Sequence, residues 1–304
     1  MIDNPKEAFD AYLMMPERMP SYPHQSHECR HIEQICELVE SIDLFLFDGY
    51  GVLNVGTSAI PGAVEQISRL QHLNKAIYVL TNAATQDMPA LQNKYEQLGF
   101  NFKLSQIVNS REVMLRDFYA QVTPADLTIG VMVPEPFRPV TSSFHEVYPN
   151  DPKFWQADLF LFLSGQGWNE SLQTRWIEEL ERRPRPIWLG NADLIAPLEQ
   201  GVSHEPGSYT LTLPSSLFSW VHCYGKPYAP IFEYALAKAF DEHGPIARNR
   251  ILMVGDTLHT DILGGASMGI KTALVTGSGF LRGLDADAYI KAAGIVPDYQ
   301  LKAI

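Results

Sequence analysis

At 304 residues the chain is longer than one compact core usually accommodates, so its length predicts two domains. Its 46% apolar and 19% charged residues are typical of a folded globular protein. The formal net charge of −12 disfavours nucleic acid and anionic membrane surfaces as partners, because both would be repelled over most of the protein.

The first twenty residues contain no basic flank followed by an apolar segment, and no later stretch resembles a membrane span. This pattern predicts a cytoplasmic protein. Three cysteines without CxxC spacing, Cys29, Cys36 and Cys223, predict reduced thiols rather than a disulfide framework or a zinc site. The sequence is compatible with a homo-oligomer but contains no signal that fixes one.

Short apolar runs alternate along the chain with helical patterns, which is typical of an α/β protein with a parallel sheet. We predict strands at 44–47, 76–80, 251–255 and 272–276. We predict helices at 61–73, with Pro61 as the first helical residue, at 88–98 with Gly99 as its cap, at 230–240, and after Asp261. The alternation therefore predicts one parallel sheet with crossover helices.

The middle of the chain contains a second set of candidate strands, at 128–133, 158–163, 187–189 and 210–213, with a helix at 172–182. The simplest interpretation is a second α/β unit inserted between two crossovers of the first. We therefore predict a core domain formed by residues 1–112 and 222–304, and an inserted domain formed by residues 113–221.

Polar side chains follow three of the predicted core strands. Asp48 ends the first strand, Thr81 and Asn82 follow the second, and Asp256 follows the strand at 251–255. Because open parallel sheets bind ligands outside the carboxyl ends of their strands, these side chains should meet there.

Phosphoryl transfer requires a nucleophile, a divalent cation, a hydroxyl or amide donor and a lysine, because the transferred group carries charge on all its oxygens. Asp48, Asp256 and Asp261 supply about −3 and a phosphate monoester about −2, against +1 from Lys226. A cation such as Mg²⁺ is needed for Asp48 to approach phosphorus, and all-oxygen ligands suit that ion.

Four motifs stand in order as FLFDGYGVL, VLTNAAT, YGKP and MVGDTLHTD. Together they resemble the haloacid dehalogenase superfamily, specifically its NagD-like class IIA sugar phosphatases, whose C2-type cap domain is inserted after the second motif. The resemblance also includes IPGAVE, GNAD and IFEYAL and covers residues 44–279, so the first 40 residues are not accounted for. It implies a Rossmann-like core with a parallel sheet and an inserted α/β cap.

The resemblance implies that Asp48 attacks phosphorus and forms an aspartyl-phosphate. Thr81 and Asn82 would bind phosphate oxygens, and Lys226 would neutralise the phosphate and orient Asp48.

The implied metal ligands are the carboxylates of Asp48 and Asp256 and the main-chain carbonyl of Tyr50. Asp261 would hold metal-bound water. In the cap, Asn191 and Asp193 match a segment that faces the substrate.

One position departs from the phosphatase pattern, because Tyr50 stands where phosphatases of the superfamily have an acid/base aspartate. A phenol with a pKa near 10 is a poor base at neutral pH. The leading interpretation is a Mg²⁺-dependent phosphatase for a small, sugar-phosphate-like ester, slowed by Tyr50. A second is a protein that binds phosphate esters with little turnover. A third, haloacid dehalogenase activity, is disfavoured because Gly255 and Asp256 retain the metal motif that dehalogenases lack.

Overall fold

The computed structural model of the chain describes residues 2–23, 28–123, 127–136, 139–141, 143–198 and 201–304. The strands are β1 (Arg30–His31), β2 (Leu44–Asp48), β3 (Asn54–Val55), β4 (Ser58–Ala59), β5 (Ala76–Thr81), β6 (Ile107–Asn109), β7 (Thr128–Met132), β8 (His145–Val147), β9 (Leu159–Phe162), β10 (Ile187–Leu189), β11 (Ile195–Pro197), β12 (Val202–His204), β13 (Val221–Cys223), β14 (Ile251–Gly255), β15 (Lys271–Val275) and β16 (Tyr299–Leu301). The helices are α1 (Pro5–Leu13), α2 (Ala63–His72), α3 (Met88–Gln97), α4 (Ser110–Gln121), α5 (Glu170–Arg182), α6 (Pro206–Thr210), α7 (Ser215–Phe218), α8 (Ala229–His243), α9 (Leu263–Ser267) and α10 (Ala286–Ala293). Within these residues, every helix is too short or too polar to span a bilayer.

The larger sheet contains seven strands in the order β1-β16-β15-β14-β2-β5-β6, and every pairing in it is parallel. The four strands predicted for this sheet are confirmed. Crossover helices such as α2 and α8 connect them, so the predicted α/β class with a Rossmann-like parallel sheet is also confirmed.

Strand β2 lies in the interior of the sheet, between β14 and β5. All five of its residues are buried, as expected for a strand with both faces covered. Phe45 and Phe47 pack into one apolar cluster, and Leu44 and Leu46 pack into another on the opposite face. This double burial fixes the position of the strand end that carries Asp48.

The second sheet contains five parallel strands in the order β13-β10-β9-β7-β8. Helix α5 packs on it through Trp176 and Leu180. The strand predicted at 210–213 is wrong. Helix α6 begins at Pro206 and includes Thr210, and a turn follows, because Pro206 favours the first turn of a helix and four alternating residues are too few to fix a strand.

Helices α4 and α8 pack against each other and contribute to one apolar cluster that also contains residues of both sheets. The rings of Phe118 in α4 and Trp188 in β10 meet edge to face with centroids 5.2 Å apart. Residue 113, the predicted start of the insertion, lies within α4, and residue 221, its predicted end, begins β13 of the second sheet.

Helix boundaries differ from prediction by a few residues. Helix α2 begins at Ala63 rather than Pro61, because Gly62 adopts a left-handed conformation (φ +86°) immediately before it. Helix α8 is longer than predicted at its C-terminal end and stops at Gly244, which also has a positive φ.

Candidate active site

The carboxyl ends of the central strands bring the predicted polar residues together. Asp48 pairs in register with Leu80, which precedes Thr81, and Phe47 pairs with Val254, two residues before Asp256. All three polar side chains are buried. The Thr81 hydroxyl lies beside Gly49 and accepts a hydrogen bond from the N–H of Ala83 (3.2 Å).

Lys226 is the central cation of the site. Its Nζ donates to Asp48 Oδ1 at 2.5 Å and to Asp261 Oδ1 at 2.7 Å, and its side chain is almost fully buried. Asp48 Oδ1 also accepts a hydrogen bond from the N–H of Gly49 (2.7 Å). The lysine therefore orients the carboxylate that ends β2.

Asn82 holds the backbone of this lysine. Its Oδ1 accepts the Lys226 N–H (2.8 Å), while its Nδ2 donates to the Lys226 carbonyl (3.0 Å) and to Asp193 Oδ1 (2.8 Å). The side chain predicted to bind phosphate is thus engaged with the lysine loop and with Asp193.

Asn191 lies behind Asp193. Its Oδ1 accepts the Asp193 N–H (2.9 Å) and its Nδ2 donates to Glu205 (3.0 Å). Of the two predicted cap residues, Asp193 lines the cavity beside Asp48, whereas Asn191 shapes the turn that presents Asp193.

Three carboxylates, those of Asp48, Asp256 and Asp261, each offer an oxygen within 4.8 Å of the others. Two glycines with positive φ make room for this cluster. A Cβ on Gly51 (φ +81°) or on Gly279 (φ +69°) would collide with the Asp256 carboxylate, so a larger residue does not fit at either place.

The electrostatics of the cluster reflect several carboxylates buried around one lysine. Burial raises the pKa of Asp48 to about 7 although Lys226 opposes that rise. Burial, and then the charges of Asp48 and Asp261, raise the pKa of Asp256 well above its ordinary value. For Lys226, burial lowers the pKa, but Asp261 and Asp48 outweigh it and raise the pKa above its ordinary range. A divalent cation would relieve the excess negative charge, so the donor set fits a hard metal ion.

A cavity of about 40 Å³ opens onto this cluster. Tyr50 lines it, and its phenol oxygen accepts a hydrogen bond from the N–H of Gly56 (3.1 Å) in the β3–β4 turn. Asp193 lines it too, and burial raises the pKa of that carboxyl to about 8. A carboxyl with this pKa retains its proton at neutral pH.

The structure adds residues that the sequence did not indicate. The N–H of Phe280 donates to Asp256 Oδ2 (2.7 Å), and Thr257 Oγ1 donates to Asp256 Oδ1 (3.0 Å). For Phe280, the sequence offers one signal, the Gly-Ser-Gly loop at 277–279, because this loop follows β15 at the same edge of the sheet as Asp48. Tyr12, from the unexplained N-terminal segment, also lines the cavity, and no sequence motif indicated it.

His259, inside the fourth motif, packs away from this cavity. Its ring stacks on Tyr12 (centroids 4.8 Å apart) and meets Phe9 edge to face (5.3 Å). Burial lowers the pKa of His259 to about 4, so the imidazole is neutral.

Comparison with known proteins identifies the family. Residues 45–143 match the model described as haloacid dehalogenase-like hydrolase, and residues 223–301 match a second, HAD-hydrolase-like model. Chronophin of Bos taurus is 30% identical over 273 residues, which cover 85% of this chain and 90% of chronophin. The chain belongs to the haloacid dehalogenase superfamily.

Similarity to other proteins supports this assignment. The 4-nitrophenylphosphatase of Schizosaccharomyces pombe is 24% identical over 88% of this chain and 94% of its own length. A structure described as a possible sugar phosphatase from Cytophaga hutchinsonii superposes with a TM-score of 0.76 and 25% identity, over 90% of this chain and 98% of that one. The predicted placement in the NagD-like class IIA branch is confirmed, and the chain is a superfamily hydrolase, several of whose relatives are named as phosphatases.

Proposed function

We propose that the protein is a Mg²⁺-dependent phosphatase that hydrolyses small, sugar-phosphate-like monoesters through an aspartyl-phosphate on Asp48. One observation carries the proposal. The Asp48 carboxylate lies 2.5 Å from the buried ammonium of Lys226, and it shares an acidic cluster with Asp256 and Asp261.

The chain's own residues support the attack on phosphorus and the binding of the phosphoryl group. A carboxylate oxygen of Asp48 attacks phosphorus, the ester P–O bond breaks, and the leaving oxygen takes a proton from water. Water then attacks the aspartyl-phosphate, which restores Asp48 and releases inorganic phosphate. Lys226 neutralises the phosphate, Thr81 provides a hydroxyl for a phosphate oxygen, and Asn82 contributes through its hold on the lysine backbone.

The proposed metal ligands are the carboxylates of Asp48 and Asp256 and the carbonyl of Tyr50, with Asp261 placed to hold metal-bound water. Bound Mg²⁺ would neutralise charge on the transferring phosphoryl group and act as a Lewis acid. The raised pKa of Asp256 supports this proposal, because a site that accumulates uncompensated carboxylates favours a cation.

We also propose that the region around the second sheet, residues 113–221 with its last strand extending to Cys223, is the C2-type cap. A role of this region in substrate binding is supported by Asp193, whose side chain lines the same cavity as Asp48 and Lys226. Closure of such a cap would exclude water from the phosphoryl group.

A second candidate function is a phosphate-ester-binding protein with little turnover, favoured by Tyr50. Its phenol oxygen accepts a hydrogen bond from the N–H of Gly56, which holds the ring on the β3–β4 turn. A tyrosine also has no carboxylate for proton transfer. Dehalogenase activity is less well supported, because the acidic cluster that includes Asp256 is present.

The experiment is a phosphate-release panel of small esters measured with Mg²⁺ and with excess chelator, beside a thermal-shift screen of the same esters. We expect release that requires Mg²⁺ and disappears in Asp48→Asn without loss of the fold. Ligand-induced stabilisation without product would favour the binding protein. Full activity in chelator, or in Asp48→Asn, would show that the proposed chemistry is wrong.

A further inference from the structure

The N-terminal segment, defined here as residues 2–22, precedes the region that the family models match, which begins at residue 45. It nevertheless packs against both halves of the active-site region. Its helix α1 buries Ala8, Phe9 and Tyr12 in an apolar cluster that joins residues beside β11 to residues of the larger sheet's loops and helices. That cluster contains Leu194 and Ile195 of the predicted cap together with Leu258, Ile262, Phe280 and Ile290 of the core.

Two side chains anchor the segment beyond the helix. The guanidinium of Arg18 donates to the carbonyls of Thr210 and Leu213, both at 2.9 Å, and its charged end lies 4.7 Å from the ring centroid of Phe218. The Tyr22 hydroxyl donates to the carbonyl of Val296 (2.9 Å). The segment is therefore attached at one point to the predicted cap and at another to the core.

Before these anchors in the chain, Tyr12 of α1 reaches the active site. Its ring stacks on His259 of the fourth motif, and its hydroxyl accepts the N–H of Leu194 (3.3 Å), the residue that follows Asp193. Tyr12 is 3% exposed and lines the same cavity as Asp48 and Lys226. This tyrosine is a wall of the cavity rather than a surface side chain.

The small size of the cavity means that Tyr12 affects how much space is left for a substrate. One water needs about 10–15 Å³ of such space, so a cavity of about 40 Å³ holds roughly three water-sized groups. The three terminal oxygens of a phosphoryl group would fill it. Sites for drug-sized ligands are typically about 300–1,000 Å³, so little room remains here for the organic group of an ester, and a large group meets the wall formed by Tyr12 sooner than a compact one.

We propose that Tyr12 is a specificity-determining residue, and that the N-terminal segment limits the site to phosphate esters with compact leaving groups. The inference rests on the proposed phosphatase function and adds to it a size limit set by residues outside the family motifs. On this proposal Tyr12 acts on the leaving group rather than on the attacking carboxylate, so its effect falls on the choice between substrates.

The test compares phenyl phosphate with 2-naphthyl phosphate, which share an aryloxide leaving group and differ in size. For each variant of the full chain, the measured quantity is the ratio of kcat/KM for the naphthyl ester to kcat/KM for the phenyl ester. We expect Tyr12→Ala to raise this ratio about tenfold or more, mainly through KM, and Tyr12→Phe to keep it within about twofold of wild type. Met14→Ala, which changes a side chain that is 82% exposed, is the matched control and should leave the ratio unchanged.

A purely structural role would lower activity on both esters by the same factor, and an unchanged ratio in folded Tyr12→Ala overturns the proposal. Circular dichroism establishes folding, and Tyr12→Leu, with the same expected direction, replaces Tyr12→Ala if that variant does not fold.

The size limit can also be measured without turnover. The proposed function is decided by the panel of small esters described above. If wild type hydrolyses neither aryl ester, the size limit is tested with phenylphosphonate and 2-naphthylphosphonate, whose dissociation constants are measured by titration calorimetry with Mg²⁺ present. Tighter relative binding of the naphthyl compound to Tyr12→Ala supports the size limit. The same ratio in both proteins, or no binding of either phosphonate, overturns it.

Discussion

Replacing Tyr50 by aspartate should accelerate phosphate release. The side chain at this position lines the cavity beside Asp48, so a carboxyl there would be near the phosphoryl group that Asp48 attacks. Aspartate supplies the acid/base that the superfamily's phosphatases have at this position, and it leaves the main-chain carbonyl in place. A positioned acid/base typically contributes about 10²- to 10⁴-fold, which sets the scale of the expected gain in steady-state rate.

The substitution should also lower the free energy of unfolding, for two reasons. The phenol's hydrogen bond with the N–H of Gly56 is worth about 1 kcal/mol. Truncating a fully buried aromatic ring costs about 3–5 kcal/mol, and the Tyr50 side chain is only partly buried, so about half of that is expected. A total near 3 kcal/mol is below the stability of about 5–15 kcal/mol that is typical of native proteins, so Tyr50→Asp should remain folded.

The assay is stopped-flow hydrolysis of 4-nitrophenyl phosphate with Mg²⁺. Wild type should show a burst of nitrophenolate followed by a slow steady state, because breakdown of the aspartyl-phosphate lacks a general base. Tyr50→Asp should lose the burst and gain a faster steady state. Tyr50→Asn, with the shape of aspartate but no titratable carboxyl, is the matched control and should remain slow.

One result would refute this reasoning. If folded Tyr50→Asp is no faster than Tyr50→Asn on any ester that wild type accepts, position 50 does not limit the reaction. Proton transfer would then belong to another group, and Asp193 is a carboxyl that already lines the same cavity.

Three further changes have distinct expected outcomes. Asp256→Asn should raise the Mg²⁺ concentration for half-activation by more than the roughly 10- to 100-fold that is typical of changing a residue that only orients a metal ligand. The same change should raise Tm in chelator, because burial and the acidic neighbours raise the pKa of Asp256 and its ionised carboxylate therefore destabilises the folded protein. An unchanged Tm would contradict this. Lys226→Met should abolish activity. In chelator at pH 8 it should also lower the free energy of unfolding, measured by urea denaturation, by about 3 kcal/mol, because Asp48 and Asp261 lose their buried partner. Asp193→Asn should make stability less dependent on pH between about 4 and 8. In the unfolded chain this carboxyl ionises above its ordinary pKa near 4, while burial keeps it protonated in the folded protein up to about 8, so wild-type stability falls as pH rises through that window and the variant should not share this fall.

The centre of the site could be predicted from the sequence because local signals and topology agree there. Asp48 and Asp256 each follow an apolar run whose residues are buried on both faces of the sheet, and parallel pairing brings their strand ends together. Lys226 precedes a proline in the loop before α8, and its side chain reaches both Asp48 and Asp261. The positions of the two aspartates depend on parallel pairing, which the alternation of strands and helices indicates.

Other parts of the site depend on tertiary contacts that no local pattern encodes. Helix α1 has an apolar face formed by Ala8, Phe9 and Tyr12, but nothing in that face indicates that its partners are His259 and the turn after Asp193. The pKa of Asp193 depends on how deeply the turn is buried, which follows from packing between separate parts of the chain.

The contact of Asn82 with the lysine loop was also beyond sequence reasoning. A position in a phosphate-binding motif favoured direct contact with phosphate, whereas the side chain meets both backbone groups of Lys226. An amide can satisfy a neighbouring peptide group with two hydrogen bonds, one as donor and one as acceptor. Whether it does so depends on where the lysine loop passes, 144 residues further along the chain.

The tyrosine at position 50 separates metal binding from proton transfer in the proposed site. Any residue at this position supplies a main-chain carbonyl, so on the proposed ligand set the affinity for Mg²⁺ should be similar in wild type, Tyr50→Asn and Tyr50→Asp. Only the side chain can transfer a proton, so the rate should differ between the last two variants while the Mg²⁺ dependence does not. If instead Tyr50→Asn loses Mg²⁺ activation, the phenol, through its hydrogen bond with Gly56, is needed to hold the turn in its metal-binding shape. Tyrosine at this position would then serve the geometry of the site, and its substitution for an acid/base would be a structural feature rather than a catalytic loss.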